Sequence, residues 1–167
     1  MTKSIKLIFS NSNPTSKIFG EMVDAWWYSH KGFEVEFWDL SPLFYSKENL
    51  DKYYGGANDY RYLGPNHRVF HTKPEAVEAL SQNIDALHWY LSRFLRSHND
   101  DWWIKEMNRF KINYLFHYFV PFYFDESIKE RLKIPLRFLK AKWKNRICKP
   151  CGIITSGTNG RRDAERY

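Results

Sequence analysis

The fold is decided near the N-terminus, where residues 5–40 read IKLIFSNSNPTSKIFGEMVDAWWYSHKGFEVEFWDL. The run from Ile5 to Ser10 is short and apolar, as expected for a buried strand. A polar loop follows it, and apolar residues from Ile18 to Trp27 then recur at helical spacing. Lys31-Gly32 closes that predicted helix, and residues 33–40 alternate apolar and acidic side chains like a second strand. This stretch therefore predicts a right-handed βαβ unit with parallel strands.

The rest of the chain continues the alternation of strands and helices. Further strands are predicted at 67–72, 85–91, 112–120 and 151–156, and further helices at 46–54, 74–83, 100–111 and 126–146. Pro74 falls in the first turn of one helix, and Asn99 and Asp100 are predicted to cap the next. Because the strands are continuously apolar, we expect both of their faces to be buried. The predicted class is α/β: a Rossmann-like, doubly wound, mainly parallel sheet of about six strands, with helices on both faces.

Length and composition predict one domain that spans residues 1–167. The hydrophobic fraction of 43% is too high for a disordered chain. The longest apolar stretch, residues 112–124, is shorter than the roughly 20 residues that cross a bilayer. The N-terminus reads as a first strand and not as a signal peptide. We therefore expect a cytoplasmic protein.

The two cysteines, Cys148 and Cys151, form a single CKPC sequence. A zinc site needs about four ligands, and no second cysteine pair is present. A thioredoxin-like motif would open a helix after an early strand, whereas this pair lies near the end of the chain. We predict that neither cysteine binds a metal or acts in catalysis, and no metal site is predicted.

The formal net charge is +7, and much of it lies in residues 126–149, where nine basic residues alternate with Leu, Ile, Phe and Trp. This pattern is typical of a cationic amphipathic helix at a membrane surface. We expect the segment to contact anionic lipid at the inner membrane face, which makes the protein peripheral. The alternative is a crossover helix that packs on the sheet and leaves its basic face solvated.

In an open α/β sheet, ligands bind outside the carboxyl ends of the strands. That rule nominates the polar residues in the predicted loops and strand ends as substrate-binding candidates: Ser10, Asn11, Ser12, Asn13, Ser92, His117, Ser156, Thr158 and Asn159. The first loop lacks GxGxxG and a Walker A motif, which argues against a nicotinamide dinucleotide site. The alternative is that this loop only turns the chain and caps a helix. No catalytic residue is assigned.

The order of segments resembles the N-terminal domain of GT-B-type glycosyltransferases and related bacterial surface-polysaccharide biosynthesis proteins. The resemblance rests on residues 6–43, on FHTKPEAVEALSQNIDALHWYLS and on ICKPCGIITSG, and it is one of pattern over nearly the whole chain. It implies that this chain holds a saccharide or lipid-linked acceptor. It also implies a C-terminal partner domain that binds the nucleotide-sugar donor, so that the chain is the N-terminal half of a larger enzyme and has no cofactor of its own.

Two other functions remain open from the sequence. The first βαβ unit is similar to that of flavodoxin-like oxidoreductases, in which SNSNPTS would grip the phosphate of FMN. Against this, the fourth predicted strand lacks the Pro-x-Tyr turn that usually packs on the flavin. Net charge alone would suit a basic nucleic-acid-binding module, but no RNA or DNA motif is visible, and nucleic acid is not expected as a partner.

Overall fold

A computed structural model describes residues 5–14, 25–53, 66–92, 98–118 and 152–155. Six strands in these ranges form one sheet. Their bounds are β1 Lys6–Asn11, β2 Glu34–Asp39, β3 His67–Val69, β4 Leu87–Ser92, β5 Tyr114–Tyr118 and β6 Gly152–Thr155. Each coincides with a predicted strand, to within three residues at either end.

Four α-helices lie in the described ranges: α1 Ala25–His30, α2 Lys47–Tyr53, α3 Lys73–Ser81 and α4 His98–Arg109. A 3-10 turn, Ser41–Leu43, follows β2. In α3 the Thr72 hydroxyl accepts the Glu75 backbone N–H, and Pro74 lies in the first turn, as the sequence predicts. None of the helices in the described ranges is long and apolar enough to cross a membrane.

The strand order is β3-β2-β1-β4-β5-β6, and every neighbouring pair is parallel. This is the order of the doubly wound Rossmann fold, and the predicted fold class is confirmed. The chain winds from β1 towards β3 on one side, then returns to place β4 against the free edge of β1. Flavodoxin-like proteins have the order 2-1-3-4-5, so the strand order lends no support to the FMN alternative.

Helices cover both faces of the sheet because successive strand residues point to opposite sides. On one face Ile8, Trp38 and Tyr90 pack with residues of α3 and α4. On the other, Phe9 and Trp89 pack against Tyr28 of α1, at ring-centroid distances of 6.2 and 5.9 Å. The central strands therefore have no polar face, which explains why their sequences read as continuous apolar runs.

Gly32 ends α1 as predicted. Its φ of +86° is a left-handed conformation that favours glycine. The Phe33 N–H donates to the Tyr28 carbonyl at 3.1 Å, and the two rings pack edge to face at 5.7 Å. This pair of contacts is the Schellman ending of a helix, and it directs the chain into β2.

One boundary prediction was wrong. Helix α4 begins at His98, so Asn99 and Asp100 lie inside its first turn and do not precede it as caps. Several predictions concern segments outside the described residues: the basic segment 126–149, Cys148 and Cys151, the loop from Ser156, and most of the helix predicted from Ile18 to Trp27. Those remain predictions.

His88 is a buried strand histidine near the start of β4. Its Nε2–H donates to the Asn83 carbonyl at 3.0 Å, and its ring packs edge to face on Trp38. Burial lowers its pKa to about 4, and the nearby charge of Lys6 acts in the same direction. The ring is therefore neutral at pH 7 and has a structural role in the core.

We predict that the protein loses stability as the pH falls from about 6.5 towards 4. His88 binds a proton more readily in the unfolded chain, where its pKa is near 6.5, so it favours unfolding in that range. Between pH 7 and 5, His88 alone should lower the free energy of unfolding by about 2 kcal/mol. Urea unfolding at both pH values measures this difference. His88→Gln should shrink it, whereas His30→Gln, at an exposed position, should not; equal pH dependence in the three proteins would contradict the prediction.

Candidate functional site

The sheet reverses its winding direction between β1 and β4, and this is where a doubly wound fold opens a crevice for ligands. β1 and β4 pair from Leu7 with Leu87 to Asn11 with Leu91. The polar stretch from Ser10 to Asn13 forms the end of β1 and the loop after it, and Ser92 ends β4. Five of the nominated residues thus lie at the carboxyl ends of the two central strands.

We call residues 10–14, the end of β1 and the turn after it, the β1 loop. Its own side chains hold it in shape. The Asn11 Oδ1 accepts the Asn13 backbone N–H at 2.9 Å, which makes a tight polar turn. Ser10 is fully buried, and its hydroxyl accepts the indole N–H of Trp103 at 3.1 Å. In the described part of the chain, the Asn11 Nδ2 is buried without a hydrogen-bond partner. The loop therefore does more than connect two elements, since it contributes buried polar groups to the centre of the fold.

Asp100 joins three elements at this point. Its Oδ1 accepts the Ser12 hydroxyl at 2.8 Å and the Tyr90 hydroxyl at 2.5 Å, so the β1 loop, β4 and α4 meet on one carboxylate oxygen. Asp100 is 1% exposed, and it lies in the first turn of α4, where the helix dipole stabilises a negative charge. Burial, together with the charge of Asp100 and the hydrogen bond to it, raises the pKa of Tyr90 well above its usual range.

A second polar pair lies nearer the solvent. The Tyr45 hydroxyl donates to the Asn13 Oδ1 at 3.2 Å, and both side chains are only partly buried. Tyr45 follows the 3-10 turn after β2, so this contact joins the loops of β1 and β2. The turn itself is fixed by Asp39, whose Oδ1 accepts the Ser41 N–H at 2.8 Å. Asn13 and Tyr45 are thus the partly exposed neighbours of the buried cluster of Ser12, Tyr90 and Asp100. They lie at the edge where a doubly wound fold places its ligand crevice, and we call this position the mouth of the crevice.

The remaining nominated residues are placed differently. His117 lies on the opposite face of the sheet from Tyr90, where its ring packs on Trp89 at 5.8 Å. It is 7% exposed, and burial lowers its pKa to about 4. This position separates it from the Asp100 cluster. β6 is parallel to the other strands and ends at Thr155, so the strand before the last loop ends at the same edge as β1. Ser156, Thr158 and Asn159 themselves lie outside the described residues.

Sequence reasoning missed four members of the site: Tyr45, Tyr90, Asp100 and Trp103. Asp100 was predicted to be a helix cap, and Tyr90 and Trp103 were predicted only as parts of a strand and a helix. One sequence signal could have identified Asp100. It is an acidic residue in the first turn of the helix after β4, and that turn faces the same switch point as the β1 loop. That Tyr90 and Ser12 lie beside Asp100 follows only from the strand order.

The site offers hydroxyl, amide and carboxylate groups for hydrogen bonding. Lysine and arginine contribute nothing to the hydrogen bonds described for it. In a dinucleotide-binding fold, the acid at the end of β2 holds a ribose hydroxyl. Here that acid, Asp39, is 2% exposed and caps its own turn. Within the described ranges, no three His, Cys, Asp or Glu side chains come together as metal ligands would.

No known protein family, curated protein or solved structure matches the chain. Its class is therefore defined by strand order alone: a Rossmann-like, doubly wound α/β domain with a polar cluster at the switch point.

We predict that Tyr90→Phe lowers the free energy of unfolding by about 1–3 kcal/mol, because it removes a donor from the buried Asp100 carboxylate. Chemical denaturation at pH 7 measures the loss. Tyr28→Phe is the matched control, since no hydrogen bond is described for the partly buried Tyr28 hydroxyl. Equal stabilities of the two variants would show that Asp100 does not depend on Tyr90.

Proposed function

We propose that this chain is the acceptor-binding domain of a glycosyltransferase-like protein of bacterial surface-polysaccharide synthesis. The observation that carries the proposal is the pair Asn13 and Tyr45 at the mouth of the switch-point crevice, above a buried network of hydroxyl and carboxylate groups. Ligands of doubly wound domains bind at this place in the fold. The class of enzyme comes from the resemblance of the segment order to GT-B-type glycosyltransferases.

The chemistry of the crevice suits a sugar. Each sugar hydroxyl both donates and accepts a hydrogen bond, and the Asn13 amide and the Tyr45 hydroxyl do the same. Both side chains are partly exposed, so a ligand can reach them, whereas Ser12 is only 1% exposed. The buried Ser12–Asp100–Tyr90 network holds the β1 loop in place, which spares a ligand the cost of ordering it.

A phosphate-bearing ligand fits the centre of the crevice less well. Phosphate recognition relies on arginine, lysine or a glycine-rich loop. The β1 loop, SNSNP, contains none of these, and the Asp100 carboxylate, which accepts the Ser12 hydroxyl at 2.8 Å, repels an anion. On this proposal the nucleotide-sugar donor binds to a separate C-terminal domain. A complete reaction requires both domains, so this chain supplies the acceptor side only.

Saccharide binding by the chain tests the proposal. We expect glucose, galactose, N-acetylglucosamine or their disaccharides to show saturation-transfer NMR signals with the wild-type protein. Asn13→Ala should weaken that binding about tenfold, the effect expected when amide hydrogen bonds are lost. Asn113→Ala is the control, because Asn113 is exposed at the opposite edge of the sheet, just before β5.

Two results would contradict the proposal. One is the absence of binding to every sugar tested. The other is binding that Asn13→Ala and Asn113→Ala affect equally, since the sugar would then lie elsewhere on the surface.

We also propose that residues 126–149 contact anionic membrane lipid, where a lipid-linked acceptor would be found. The support is the sequence pattern, nine basic residues between apolar ones. Each cation near an anionic surface contributes about 1 kcal/mol, and the apolar side chains can enter the headgroup region.

Liposome co-sedimentation tests the membrane contact. At low salt, the wild-type protein should bind vesicles of phosphatidylglycerol and phosphatidylcholine more strongly than vesicles of phosphatidylcholine alone, because the attraction is electrostatic. Reversing the charges of Lys133, Arg137, Lys140 and Lys144 should abolish the difference. If the variant, folded by circular dichroism, binds both vesicles as the wild type does, the segment is not a lipid contact.

A further inference from the structure

Three residues from the segments that follow β2, β3 and β4 meet at the carboxyl edge of the sheet, and we call them the aromatic corner: Phe44, Lys73 and Trp102. Phe44 follows the turn after β2, Lys73 begins α3 after β3, and Trp102 lies in α4 after β4. The rings of Phe44 and Trp102 pack edge to face at 5.9 Å. The Lys73 Nζ lies 5.1 Å from the Trp102 ring centroid and 5.9 Å from that of Phe44.

Helix stability does not explain the position of Lys73. A cation in the first turn of a helix is disfavoured by the helix dipole. No ion pair of Lys73 is described, and its described contacts are with the two rings. The side chain is exposed, while both rings are only partly buried. A cation held over aromatic rings, without a carboxylate, leaves its charge available to an anion from solution.

The aromatic corner adjoins the proposed acceptor crevice. Trp102 packs on Trp103 at 5.6 Å, and the Trp103 indole N–H donates to Ser10 at the end of β1. On the other side, Phe44 precedes Tyr45, whose hydroxyl donates to Asn13 at the mouth of the crevice. The aromatic corner and the mouth of the crevice therefore lie at one edge of the sheet, and the adjacent residues Phe44 and Tyr45 connect them.

We propose that the aromatic corner is a subsite for a sugar unit that carries an anionic substituent. The apolar C–H face of a pyranose packs on the exposed part of Trp102, and its carboxylate or phosphate group pairs with Lys73. The proposal rests on the proposed acceptor function and names the class of acceptor, an acidic saccharide. It also assigns the two ends of the ligand: hydroxyl groups towards Asn13 and Tyr45, and the negative charge towards Lys73.

Saturation-transfer NMR titrations of the whole chain with D-glucose, D-glucuronate and D-glucose 6-phosphate test this subsite. One or both anionic sugars should bind about three- to fivefold more tightly than glucose, the gain expected from an exposed charge pair. Lys73→Met should remove that gain, so that the anionic sugars bind no more tightly than glucose. Lys105→Met is the matched control, because Lys105 is an exposed lysine on α4, and it should retain the gain. The ratio of the two anionic sugars distinguishes a carboxylate from a phosphate.

The outcomes separate this inference from the proposed function. If glucose and the anionic sugars bind equally, or if Lys73→Met and Lys105→Met behave alike, the aromatic corner is only a lysine stem covering apolar surface and the subsite is disproved. Glucose binding that still depends on Asn13 would leave the acceptor function standing. If none of the three sugars binds, the subsite is disproved, and the acceptor function is then decided by galactose, N-acetylglucosamine and the disaccharides. Since Lys73 is exposed, Lys73→Met should fold like the wild type.

Discussion

Strand β1 is hydrogen-bonded along both edges, to β2 on one side and to β4 on the other. The chain leaves β1 in one direction and later returns to its other edge, so the connections after β1 and β4 diverge from each other. That divergence opens the crevice. It also brings α4 beside the β1 loop, and the Asp100 carboxylate can then accept hydrogen bonds from Ser12 and Tyr90. The site thus depends first on the strand order and only then on any single residue.

The elements of this fold were predictable because their signals are local. Strand β1 reads as a continuous apolar run, since Leu7 and Ile8 are buried on opposite faces of the sheet. Gly32 marks the end of α1 because its positive φ disfavours other residues. Pro74 marks a helix start because the fixed backbone φ of proline suits the first turn of a helix. The start of α4 was misplaced because an acidic residue in a first turn and an acidic cap look alike in sequence.

The site was only half predictable because its contacts are not local. Ser12 and Asn13 could be nominated from their place after β1; Ser12 belongs to the buried cluster and Asn13 to the polar pair beside it. Asp100 is distant in sequence from Ser12, and no spacing rule connects the two. His117 was nominated from its place near the end of a strand, but the alternation of side chains along β5 puts it on the other face. An error of one residue in the position along a strand changes the face to which a side chain is assigned. Strand boundaries predicted from sequence are less exact than that.

The double pairing of β1 has a consequence for how the chain is made. Leu7 pairs with Leu87, so one edge of β1 has no partner until the ribosome has synthesised β4. At roughly 5–20 residues per second, that interval lasts about 4 to 16 s. Throughout it, the nascent chain presents a strand with unpaired backbone N–H and C=O groups, which is a template for association with other chains. We therefore expect that shielding this edge during translation favours native protein over aggregates.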